Sequence, residues 1–125
     1  MFFTHSELIA ITRMALYISG ADGKHHQKET NAITSELRRF GVGHEECASI
    51  ITRSLMMSFD EAVQTISDFN MEEKRYVTAF LGVLIMVDEN IAPAEMDMWR
   101  KISSKCNLPT MTLQDAYQIM LSLSR

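Results

Sequence analysis

Apolar residues return along this chain every three or four positions. Leu8, Ile11, Ala15 and Ile18 fall on one face of a helix, as do Ile33, Leu37 and Phe40, then Cys47, Ile50, Ile51 and Leu55, and later Val63 with Ile66. No strand-like alternation of polar and apolar residues competes with that period. One run, Tyr76 to Val87, is apolar on every side and predicts the central buried helix; at about 12 residues it is well short of the roughly 20 that span a bilayer. Start signals agree with the periodicity. Thr4/Glu7, Ser58/Glu61 and Asn70/Glu73 each place a capping side chain three residues before a Glu, so that each can satisfy a backbone amide of the other. Gly43/Glu46 and Thr112/Asp115 are weaker versions, and Phe3 with Leu8 can staple the chain's entry into the first helix. Pro93 and Pro109 stand where a helix begins and where one has just ended. These signals predict an all-α single domain over 1–125, with seven helices at about 5–20, 27–40, 44–56, 59–68, 71–86, 93–106 and 113–123.

Sliding the sequence by sixty-six positions lays Ala21-Asp22-Gly23-Lys24-His25-His26-Gln27-Lys28-Glu29 over Val87-Asp88-Glu89-Asn90-Ile91-Ala92-Pro93-Ala94-Glu95. Both acidic positions match. Upstream, Ile11, Met14 and Ile18 meet Val77, Phe80 and Leu84; downstream, Ile33 meets Trp99, and Phe40-Gly41-Val42 meets Cys106-Asn107-Leu108. Each of the last two triplets reads as a helix end, with Gly or Asn free to turn left-handed and an apolar residue beyond it to fold back. Two pseudo-repeated helix-turn-helix halves, about 5–56 and 59–123, are therefore expected.

The ADGKHHQKE stretch, repeated as VDENIAPAE, resembles the tellurite-resistance TerB-like family and its pattern Ala-Asp-Gly-x-Ile-x-x-x-Glu. The resemblance covers nearly the whole chain. It implies an all-α domain of pseudo-repeated helices, an association with tellurite and general stress resistance, and acidic turns that hold a divalent cation. Matched residue by residue, the acidic positions are Asp22 and Glu29 in the first copy and Asp88 and Glu95 in the second. Two positions depart from the pattern: His25 replaces the Ile, and Glu89 replaces the Gly and adds a fifth carboxylate.

Composition narrows the function further. A chain of 125 residues that is 46% hydrophobic and 22% charged can bury a core of its own, which excludes a disordered or fibrous reading. Its net charge of -4, without a cluster of Lys and Arg, offers no footprint for a phosphate backbone, so nucleic acid is not an expected partner. Cys47 and Cys106 make neither a CxxC pair nor a disulfide framework, and MFFTHSELIA lacks the features of a signal peptide; a reducing cytoplasm is the expected location. The ten methionines fall mostly at helical spacing among Leu and Ile and are expected to pack in the core. No nucleophile elbow, phosphate-cradling loop, zinc helix or Cys-His pairing is present, so an enzyme is not expected; clustered carboxylates alone would motivate a metal-dependent hydrolase.

The acidic turns are the candidate chemistry. Glu29 and Glu95 each fall at the third position of a predicted helix, as do Glu7, Glu61 and Glu73, so helix capping accounts for them without a ligand. Asp22 and Asp88 are placed less favourably, at helix C-terminal ends where unpaired carbonyls repel a carboxylate. An Asx-turn would offset that repulsion, and so would a cation. If the halves pack about a pseudo-twofold, four carboxylates could converge on one hard ion, for which oxygen ligands select Ca²⁺, Mg²⁺ or Mn²⁺. The spacing is not that of an EF-hand. His25 and His26 would add nitrogen ligands in one copy only, while His5 and His44 read as solvated or capping residues at helix starts. The alternative to a cation-responsive domain is a cation-independent helical module that binds an unidentified protein partner in an apolar groove.

Overall fold

Four of the helix starts are fastened by reciprocal capping boxes. In the computed structural model, which describes residues 1–23, 27–87 and 90–124, the Thr4 hydroxyl accepts from the Glu7 amide at 3.2 Å while Glu7 Oε1 accepts from the Thr4 amide at 2.8 Å. Ser58 and Glu61, and Asn70 and Glu73, repeat the exchange. Thr112 and Asp115 form a full box as well, at 3.1 Å in both directions, since Asp reaches back as Glu does. Gly43 starts its helix without a side-chain cap. The helices so begun are α1 (His5–Ser19), α2 (Gln27–Arg39), α3 (His44–Met56), α4 (Phe59–Ser67), α5 (Met71–Met86), α6 (Pro93–Lys105) and α7 (Leu113–Leu123). Among the described residues there is no strand, and no helix is long and apolar enough to cross a membrane.

Two helix ends share one geometry. Gly41 stands at φ 88° and Asn107 at φ 55°, the left-handed region that Gly and Asn enter most easily. Beyond them the Val42 amide donates to the Leu37 carbonyl at 3.2 Å, and the Leu108 amide to the Ser103 carbonyl at 2.8 Å. These are the long bonds of a Schellman motif, and the apolar residue in each is buried. The helices they close, Gln27–Arg39 and Pro93–Lys105, lie sixty-six positions apart.

Helices α1 and α5 form the centre. α1 packs against α2, α3, α4, α5 and α6, and α5 packs against α1, α6 and α7. Ten of the sixteen residues of α5 are buried, as the apolar run predicts. Phe3 lies in an aromatic cluster, its ring 5.3 Å from those of Phe40 and Phe69 and 5.7 Å from that of Tyr76. Trp99 packs on α5 near Ala116 of α7, its indole Nε1 donating to the Thr78 carbonyl at 3.1 Å. The backbone at Gly82 admits it, because a Cβ there would stand 2.7 Å from the Trp99 ring and 2.9 Å from the Ala116 methyl. The methionines are less buried than their spacing implies. Met14 is fully enclosed and Met57, Met96, Met98, Met111 and Met120 pack partly against the core, but Met56 and Met71 are exposed. Helical spacing fixes a face and not its cover, and among the described residues nothing covers those two.

Candidate functional site: the acidic turns

The turn after α1 is built from backbone bonds and glycine. The Gly20 amide donates to the Leu16 carbonyl at 3.0 Å, Ala21 to Ile18 at 3.2 Å and Gly23 to Gly20 at 3.0 Å, with Gly23 at φ 78°. Asp22 sits half-buried in this turn, three residues past the last helical one. The end of α5 begins the same way: the Val87 amide donates to the Leu84 carbonyl at 3.3 Å, sixty-six positions after Ala21 and Ile18. Asp88, Glu89, Lys24, His25 and His26 lie outside the described residues. The expected metal ligand Asp88, and both departures from the family pattern, therefore have no structural description.

Glu29 and Glu95 occupy the third positions of α2 and α6, as expected, but their surroundings differ from those of the other N3 acids. Glu29 is 0% exposed and Glu95 1%, whereas Glu7, Glu61, Glu73 and Asp115 all keep contact with solvent. Nor is α6 fastened by a capping box, because its N-cap is Ala92, which has no side-chain acceptor. Pro93 begins that helix and the Glu95 amide donates to the Ala92 carbonyl at 3.0 Å. Their burial sets the two carboxylates apart from those solvent-facing caps. An ionised carboxylate taken from water into a protein core costs several kcal/mol unless other charges and donors compensate. The sequence places both residues at helix starts, but their burial is a tertiary property that a local signal does not carry.

Among the described residues, no three His, Cys, Asp or Glu side chains form a group able to hold a metal ion. Asp22, Glu29 and Glu95 are therefore not a complete site by themselves, and a shared one depends on Asp88. Both cysteines are buried and free. Burial pushes the Cys106 thiol up to about 11, against the opposing charge of Lys74, so it is a neutral core residue and no nucleophile. His5 Nε2 lies 3.6 Å from Glu46 Oε2 on the surface, and His44 is the first residue of α3.

One polar cluster was not foreseen. Tyr76 on α5 donates its hydroxyl to Glu36 Oε2 at 2.5 Å, and Arg39 binds both carboxylate oxygens of Glu36 at 2.6 and 3.1 Å. Burial first, and Glu36 second, hold the phenol well above its usual range. The Glu36/Arg39 spacing was visible as a helical ion pair, but the partner forty residues away was not. A second unforeseen feature is a cavity of about 960 Å³ between α6 and α7, with Trp99, Met96 and Leu113 among its walls.

A crystal structure of a protein of unknown function from Porphyromonas gingivalis W83 is similar at 35% sequence identity, covering 98% of each chain with a TM-score of 0.85. No protein-family model matches the chain, and no curated protein matches it.

Proposed function

The chain belongs to the same family as this Porphyromonas gingivalis protein, and within that family we propose that it is a non-catalytic, TerB-like binding domain that takes up a divalent cation between its acidic turns. The observation that carries the reading is the matched burial of Glu29 and Glu95, at equivalent positions of α2 and α6. Elsewhere the chain keeps its N3 acids in contact with water, so the two enclosed acids mark the starts of α2 and α6 as a matched pair. A hard cation would join the two turns through their carboxylate oxygens. Glu29 and Glu95 would be ligands from the helix starts, and Asp22 and Asp88 from the turns; an all-oxygen set favours Ca²⁺, Mg²⁺ or Mn²⁺ over thiophilic metals. Association with stress and tellurite handling accompanies the TerB-like reading, and two buried free thiols suit a cytoplasmic location.

Thermal unfolding after EDTA treatment, with each ion then added back, tests this. An ion at a hundred times its Kd stabilises the folded state by about 2.7 kcal/mol, which at this chain length raises Tm by several degrees. The double variant Glu29→Gln, Glu95→Gln should lose the rise. If none of the three ions moves the Tm of the wild type, the cation reading is wrong.

A second reading has its own observation. On α7 only Ala116 is buried, while Tyr117, Leu121 and Leu123 are exposed. That apolar surface favours a cation-independent module for a protein partner. Partner binding that survives both EDTA and the double variant would separate this reading from the first.

A further inference from the structure

The connection from α6 to α7 runs from Cys106 to Thr112, whereas that from α2 to α3 needs only Phe40 to Gly43. Trp99 stands on α6 where α2 carries Ile33, and its indole reaches past Gly82 to Ala116 on α7. The two differences have one result. α3 packs on α2 as well as on α1, but α7 rests mainly on α5 and leaves the cavity of about 960 Å³ beside α6. Cavities that hold small molecules measure about 300–1,000 Å³ and combine apolar walls with a few polar groups, and this one fits that description.

Its walls state the ligand's chemistry. Met96, Trp99, Met111 and Leu113 offer an apolar surface, and the two methionines can adjust to irregular shapes. Arg100 is the one charged residue among the described lining residues. Its Nη1 bonds Asp97 at 3.2 Å, and both side chains are largely solvated, so the pair is weak and readily shared. A guanidinium carries five N–H donors, and that bond uses one. We infer that the cavity binds a small amphipathic carboxylate, its acyl or aryl body between α6 and α7 and its carboxylate on Arg100. This site is separate from the acidic turns and independent of any cation there.

Trp99 is the single tryptophan of the chain, so fluorescence excited beyond tyrosine absorption reports on the wall of this cavity. The full chain, in EDTA, is titrated with decanoate, decylamine and decanol, each below its micellar concentration. A saturable change with decanoate is expected, with decylamine about tenfold weaker, a difference on the order of one charge-assisted hydrogen bond. Arg100→Gln should weaken decanoate by about the same factor and leave decanol unchanged. Ser104→Phe and Thr110→Phe, which fill the cavity from exposed rim positions, should each remove the response while far-UV circular dichroism stays that of the wild type. Two variants are used so that one that misfolds still leaves the other as a test. Absence of a saturable change with all three probes overturns the inference. So does equal binding of decanoate and decylamine, or a decanoate response that persists in a folded rim variant. A response to an apolar peptide with none to decanoate would likewise assign the cavity to a protein partner and reject the small carboxylate.

Discussion

A methyl group at position 82 has nowhere to go. The Gly82→Ala Cβ would meet the Trp99 ring at 2.7 Å and the Ala116 methyl at 2.9 Å, both buried in the core. Overpacking of this kind costs about 1–3 kcal/mol, and urea unfolding should show a lower midpoint with an unchanged slope. Cys106 makes a second prediction, in pH. Its thiol is raised from its ordinary 9.0 to about 11 by burial, so the folded state favours the protonated form. That contribution is complete below about pH 9 and is lost as pH rises through about 11. Tyr76, raised by burial and by Glu36, acts in the same direction. Stability measured by chemical denaturation should therefore fall from pH 9 to 11 in the wild type and fall less in Cys106→Ala; an equal decline in both would show that Cys106 stays accessible. At this scale the sequence was a partial guide. It placed Glu29 and Glu95 at helix starts, as caps or as cation ligands, but not their burial, because one sequence position is compatible with either environment.

The helices themselves were legible almost to the residue. Their starts are written in pairs three apart, and their ends in Gly41 and Asn107, both local signals that act before any tertiary contact forms. Those two ends invite a direct comparison. Gly41 has no atom within 4 Å of a built Cβ, so Gly41→Ala carries only the cost of the left-handed backbone, about 1–2 kcal/mol. Asn107→Gly should be neutral or slightly stabilising, as its φ of 55° suits glycine better. Paired thermal melts check both, and equal losses would mean that the ends are not equivalent. What could not be read was how the helices stand against one another. The stripe on α7 looks like a core stripe, yet most of it stays partly or wholly in solvent, because the Cys106 to Thr112 connection and the Trp99 indole set that helix apart from α6.

For the molecule as a whole, the sixty-six-residue offset relates more than the acidic motif that first suggested it. The bounds of α2 and α6, the Schellman ends and the burial of Glu29 with Glu95 follow the same offset. These correspondences relate α2 to α6, and the proposal that their acidic turns act together rests on them. A shared site and two separate turns predict different stoichiometries, which gives the account its most direct test. Calorimetric titration of the EDTA-treated chain with Ca²⁺, Mg²⁺ and Mn²⁺ should show, for at least one of them, binding of one ion per chain that is lost in Glu29→Gln, Glu95→Gln. Absence of binding by all three ions, or two independent ions per chain, would contradict it.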